Sequence, residues 1–333
     1  MKRNTIGVGV TLLAAFYTLL GFTSTASRAA DSTPVLIGLT PDTSFSPFYV
    51  AVDKGFLKAE GVNASYKIGQ GSEGTQAVMV GAEQMAPNSE LPTLVNKAKG
   101  GKYTCVANTL VAPRQNGVAA IAAITKPADL SGRKVGIPYG TSGEYFFDRY
   151  VAHYQLDKNK ISAINVNASD LLPALARGDV DAYFSWEPWL SKAAEVHKDA
   201  HVLAYSGDDG IYVMRYCLNV GDSFAEQHPD LVEGVLRGLI KASAWMTQHP
   251  KQAAMVVGQA IRLDPATAER LMVTASYPIN MTTEGREDYV QVADWLHQEN
   301  KIPATAQPKT LVNGLLNPKF LKAVAPDAVT LSP

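Results

Sequence analysis

The stretch "LPALARGDVDAYFSWEPWL" (residues 172–190) decides the fold. It reads as a short helix, a glycine turn at Gly178, an apolar strand over 180–186, and then a carboxylate, Glu187, set between Trp186 and Trp189. A helix that feeds a buried strand in this way belongs to open, mostly parallel α/β sheets. Proline is favoured at the first helical position, so Pro188 predicts that the strand turns into a helix at Glu187. Glutamate is not a preferred N-cap, which leaves a role other than capping for Glu187.

The same pattern occurs once more. "TQAVMVGAEQMAPNSE" (75–90) also reads as helix, glycine turn, strand and glutamate, with Gly81 as far ahead of Glu90 as Gly178 is ahead of Glu187. Each glutamate then sits past the C-terminal end of a strand, the edge where open α/β sheets bind ligands, and the two are expected to face one another across a cleft. Further strands are read at "VLIGLT" (35–40), "AAIAAI" (119–124) and "KVGIPY" (134–139), and helices at "PFYVAVDKGFL" (47–57) and "GEYFFDRYVAHYQL" (143–156). Beyond residues 222–250 the strand signals stop and helical patterns run to the proline-rich tail.

Residues 1–29 carry a basic start (Lys2, Arg3), an apolar run over 5–22 and small residues at Ser27 and Ala29, the pattern of a cleaved secretory signal. Removing it takes away Lys2, Arg3 and Arg28 and leaves a net charge of −4, which argues against nucleic acid or an anionic membrane as partner. The remaining length exceeds one ordinary core, so two lobes are expected. The chain is read as crossing between them near 125–132 and returning near 212–221. Cys105 and Cys217 give either one disulfide or two buried thiols; spacing does not decide, and buried thiols are favoured.

Three loops offer polar groups at strand edges. Gly69, Gly71 and Gly74 have dinucleotide-binding spacing, but the following helix is short and export disfavours a nicotinamide cofactor; the glycines read as a tight loop with Ser72 as N-cap. In "GIPYGTSGEYFF" (136–147), Thr141 and Glu144 have capping-box spacing, and Thr141 and Ser142 would present hydroxyls and amides to an anion. In "TPDTSFSPFYVAVDKG" (40–55), Ser46 reads as an N-cap before Pro47, and Ser44, Phe45 and Ser46 as a pocket wall. Asn88, Ser89 and Glu90 offer the same from the next strand edge. G-x-S-x-G, H-E-x-x-H and C-x-x-C are all absent, and the six histidines are scattered, so catalysis, a metal centre and a cofactor are not expected.

Together "SFSPFYVAVDKGFLKAEGVN", "GQGSEGTQAVMVGA", "KPADLSGRKVGIPYGTSGEYF" and "ALARGDVDAYFSWEPWL" resemble the sulfonate-, taurine- and nitrate-binding periplasmic proteins of ABC importers, a group similar also to thiamine-pyrimidine-precursor binders. The resemblance implies an α/β, two-lobe periplasmic-binding-protein fold of type II, with two crossovers and the ligand cleft between lobes. One lobe would hold 30–125 plus 218–333 and the other 126–217. It implies a monomeric, non-enzymatic periplasmic protein that captures a small solute, favouring a sulfonate or taurine, and hands it to a membrane permease. A pyrimidine or aromatic-acid binder, or a desulfinase-like exported enzyme, is the alternative. Ligand contacts are implied at Ser44, Phe45, Ser46, Asn88, Ser89, Glu90, Thr141, Ser142, Trp186 and Glu187. Glu187 would hold a ligand ammonium and Thr141 and Ser142 an anion. The segment "GAEQMAPNSE" departs from the family's commoner Gly-x-x-Asp start, which leaves the ligand class open.

Overall fold

The computed structural model describes Met1 and residues 33–69 and 73–331. The signal-peptide reading beyond Met1, and the roles read for Gly71 and Ser72, lie outside the described residues. Among the described residues no helix is long and apolar enough to cross a membrane.

Ten strands, β1 (Val35–Leu39), β2 (Ala64–Ile68), β3 (Met85–Ser89), β4 (Tyr103–Ala112), β5 (Asn116–Ala120), β6 (Lys134–Ile137), β7 (Ser162–Asn165), β8 (Ala182–Trp186), β9 (His201–Tyr205) and β10 (Met214–Gly221), form two five-stranded sheets. The first has the order β2-β1-β3-β10-β4, the second β7-β6-β8-β5-β9. In each, three neighbouring strands pair in parallel and one strand inserts antiparallel: β10 between β3 and β4, and β5 between β8 and β9. β4, at the edge of its sheet, and β5, inside its own, are buried along nearly their whole length.

The chain leaves the first sheet between Ala112 and Asn116 and returns between Tyr205 and Met214. The first passage falls earlier than 125–132, because β5, the run read from residue 119, pairs with β8 through Val118 and Phe184 and so joins the second sheet. An apolar run carries no local mark of its partner, and only this long-range pairing assigns it.

Both glycine turns form as read: Gly81 and Gly178 adopt left-handed backbone (φ 74° and 75°) after the helices Glu73–Met79 and Leu171–Arg177. At Glu187 the expectation fails. The Glu187–Pro188 peptide is cis, residues 187–192 form turns, and the next helix is the short Ala193–Val196. The first loop is corrected too: Asp42, rather than Ser46, caps it by accepting from Ser44 N at 2.7 Å, while Ser46 Oγ donates to Thr43 O.

The favoured free thiols are also overturned. Cys105 on β4 and Cys217 on β10 form a disulfide, their Cα atoms 5.7 Å apart on neighbouring strands. Past β10 the helices Pro229–Gln248, Pro250–Ile261 and Pro265–Met272 each start on proline, whose missing N–H costs nothing there. The helix Thr283–Gln298 reaches across to the Ser142–His153 helix beside the second sheet: Trp295 Nε1 donates to Asp148 at 3.1 Å, Trp295 packs on Tyr145, and Lys301 pairs with Glu144 at 2.9 Å.

Candidate functional site

The polar residues singled out in the sequence gather on the two sheet edges that meet at the crossovers. On the first sheet, the loop after β1 carries Ser44, Phe45 and Ser46, and the end of β3 carries Asn88, Ser89 and Glu90. On the second, β6 leads into Thr141 and Ser142, while β8 ends at Trp186 and Glu187. Asn116 opens the antiparallel β5 directly opposite Trp186, so it belongs to the same edge.

Several of these groups are occupied with building the scaffold. Asn88 Nδ2 donates to Thr75 Oγ1 at 3.0 Å and Asn88 Oδ1 accepts from Ser89 N, which ties the strand end to the neighbouring helix. Phe45 packs edge-on against Tyr216 with ring centroids 5.3 Å apart. Thr141 caps the Ser142–His153 helix through Gly143 N at 3.2 Å and donates its own proton to Pro138 O. Glu144 reaches back to Gly140 N, one residue ahead of the capping-box donor.

Glu90 is fully buried and accepts from Arg215 N and from the Tyr212 hydroxyl. Burial pushes its carboxyl up to about 8. It holds the root of the returning crossover and does not line the cleft cavity, so the expected face-to-face pair of glutamates is not formed.

Of the ten site residues expected from sequence, Glu187 alone lines the cavity, whose volume is about 310 Å³; the others stand at the strand ends and loops beside it. The Glu187 carboxylate accepts from Ser191 N at 3.1 Å, from Ser191 Oγ at 2.6 Å and from the Tyr205 hydroxyl at 3.4 Å. Its N–H donates to Gln115 O in the outgoing crossover. The carboxylate across the cavity is Asp42, from the loop after β1, and the third wall comes from Ile261 to Leu271, including Arg270.

The sequence reading missed Asp42 and Arg270 in the cavity wall, and Asn116, which follows the wall residue Gln115 in the chain. Asp42 had a visible signal, since Asp before a turn is a preferred cap. Asn116 and Arg270 had none. Asn116 is fully buried; its Oδ1 accepts from Ser142 Oγ at 2.8 Å and its Nδ2 has no partner among the described residues. A buried donor left open beside a helix N-terminus suits an anionic oxygen. Among the described residues no group of three or more His, Cys, Asp or Glu side chains could hold a metal ion.

Two α/β sheets joined by two short crossovers, with polar loops from both edges meeting at a cavity, define the two-lobe fold of periplasmic binding proteins. The family model described as NMT1/THI5 like matches residues 42–253, and the chain belongs to that family. A Bacillus subtilis (strain 168) protein named for binding aliphatic sulfonates is 25% identical over 281 residues, covering 81% of this chain and 83% of the relative. The taurine-binding periplasmic protein of Escherichia coli (strain K12) is 23% identical over 263 residues, covering 73% and 75%. More distant, the 4-amino-5-hydroxymethyl-2-methylpyrimidine phosphate synthase of Schizosaccharomyces pombe is 22% identical over 225 residues, covering 62% and 63%. The crystal structure of the periplasmic aliphatic sulphonate binding protein from Escherichia coli superposes with a TM-score of 0.73 at 18% identity, covering 86% of this chain and 98% of that one.

Proposed function

We propose that the protein is the exported solute-binding component of an ABC importer and captures a small organic anion or zwitterion, with sulfonates and taurine as the favoured class. The observation that carries the reading is the cavity, lined by loops from both sheets, which two short passages of chain join among the described residues. Such a pair can hinge, close on a solute and present the closed form to a membrane permease. The anionic group would lie at Ser142 and the open Asn116 Nδ2, and a ligand ammonium at Glu187. The names and fold of the relatives support the same class.

An exported enzyme using a cysteine nucleophile is disfavoured, because both cysteines of the chain are in the disulfide. A thermal-shift screen of taurine, ethanesulfonate, nitrate, pyrimidines and aromatic acids tests the proposal. A solute at a hundred times its dissociation constant adds about 2.7 kcal/mol to stability and should raise the melting temperature. Conversion of a stabilising solute into product would overturn the binding-protein reading.

A further inference from the structure

The cavity has an unexpected charge balance for a site proposed to take anions. Its walls carry four carboxylates, from Asp42, Glu187, Glu195 and Asp264, against two cations, Lys192 and Arg270. Two of those carboxylates sit on opposite sides of the cleft: Asp42 follows β1 of the first sheet and Glu187 follows β8 of the second. The hydrogen bonds that hold them come from neutral donors, Ser44 N for Asp42, and Ser191 and Tyr205 for Glu187. These donors fix the carboxylates without cancelling their charge. Burial first, and then the Glu187 charge, push the Asp42 carboxyl above its usual range against the pull of the Ser44 hydrogen bonds.

Like charges mounted on two hinged bodies repel more strongly as the bodies approach and water leaves the gap. A cationic nitrogen placed between them reverses the sign and makes the same pair a pair of hydrogen-bond acceptors. We propose that Asp42 and Glu187 form a charge gate across the cleft, opposing closure until a solute brings a cationic nitrogen between them, so that the site selects zwitterionic solutes over simple anions. The proposal rests on the solute-binding reading above and adds to it Asp42 as a specificity-determining residue.

The test uses Asp42→Asn, Glu187→Gln and the double variant, checked for native circular dichroism. Solution scattering of the ligand-free proteins comes first, because it needs no ligand. The double variant should have a smaller radius of gyration than wild type; an unchanged radius overturns the gate. Calorimetric titration with taurine and ethanesulfonate follows. Each single variant should bind taurine about tenfold or more weakly, the scale of a lost charge-assisted hydrogen bond. Ethanesulfonate should bind the double variant at least as tightly as it binds wild type. Parallel losses for both probes overturn the gate. If neither probe binds any form, the sulfonate and taurine reading of the function fails, while the ligand-free radius still decides the gate.

Discussion

At Asn116 a single amide joins two jobs: its oxygen receives the Ser142 hydroxyl and its nitrogen is left over in a buried place. Asn116→Ala should therefore weaken taurine and ethanesulfonate alike, by about 1.5–3 kcal/mol, the worth of a hydrogen bond to a charged group. Titration of both probes checks this, and unaltered affinities would remove Asn116 from the site. Glu90 illustrates the opposite use of a polar residue, as buried support. An unfolded glutamate loses its proton near pH 4.3, whereas native Glu90 keeps it to about 8. Between those values the unfolded state binds fewer protons, so stability falls as pH rises, by at most about 1.4 kcal/mol per pH unit, and levels off above the native value. Glu90→Gln does not ionise. Its melting temperature should fall less than that of wild type from about pH 5 to about pH 8, and equal slopes would mean that Glu90 titrates normally.

The element that most constrains the chain is the pair β4 and β10. They flank the two passages to the second sheet, and the Cys105–Cys217 disulfide joins them across 112 residues of sequence. That loop contains the whole second sheet, β5 to β9. Cross-linking a loop of this length removes much unfolded-state entropy, so the Cys105→Ala, Cys217→Ala double variant should lose about 2–5 kcal/mol. Denaturant unfolding measures the loss. Alkylation of the unreduced, denatured protein should modify neither cysteine, and labelling of both would show that the bond does not form.

For the whole molecule the relevant coordinate is the distance between the two sheets. The contact of the Thr283–Gln298 helix and Lys301 with the Ser142–His153 helix lies outside the cavity, yet Lys301 grips Glu144, which in turn holds the Gly140 turn. The Lys301 pair is partly exposed, so its worth falls within the 0.2–1 kcal/mol or so typical of such pairs. Lys301→Met should then weaken every bound solute by the same factor, up to about fivefold. Unequal losses between taurine and ethanesulfonate would place Lys301 in direct contact with the ligand. Scattering should also show the wild-type radius of gyration falling as a confirmed solute saturates the protein.

The sequence by itself determined what is periodic and local: the α/β alternation, the two glycine turns at Gly81 and Gly178, the Thr141 cap and the placement of Glu90 and Glu187 at strand ends. These depend on neighbours a few residues away, whose chemistry is written in order along the chain. Tertiary structure alone decided the rest. It assigned β5 to the second sheet, joined Cys105 to Cys217, set Asn116 beside Ser142, and put the carboxylates of Asp42 and Glu187 on one cavity while burying Glu90 at the root of the returning crossover. Each of those facts pairs residues from distant parts of the chain. Such pairings are chosen by the joint packing of two sheets and leave no periodic or short-range trace in sequence.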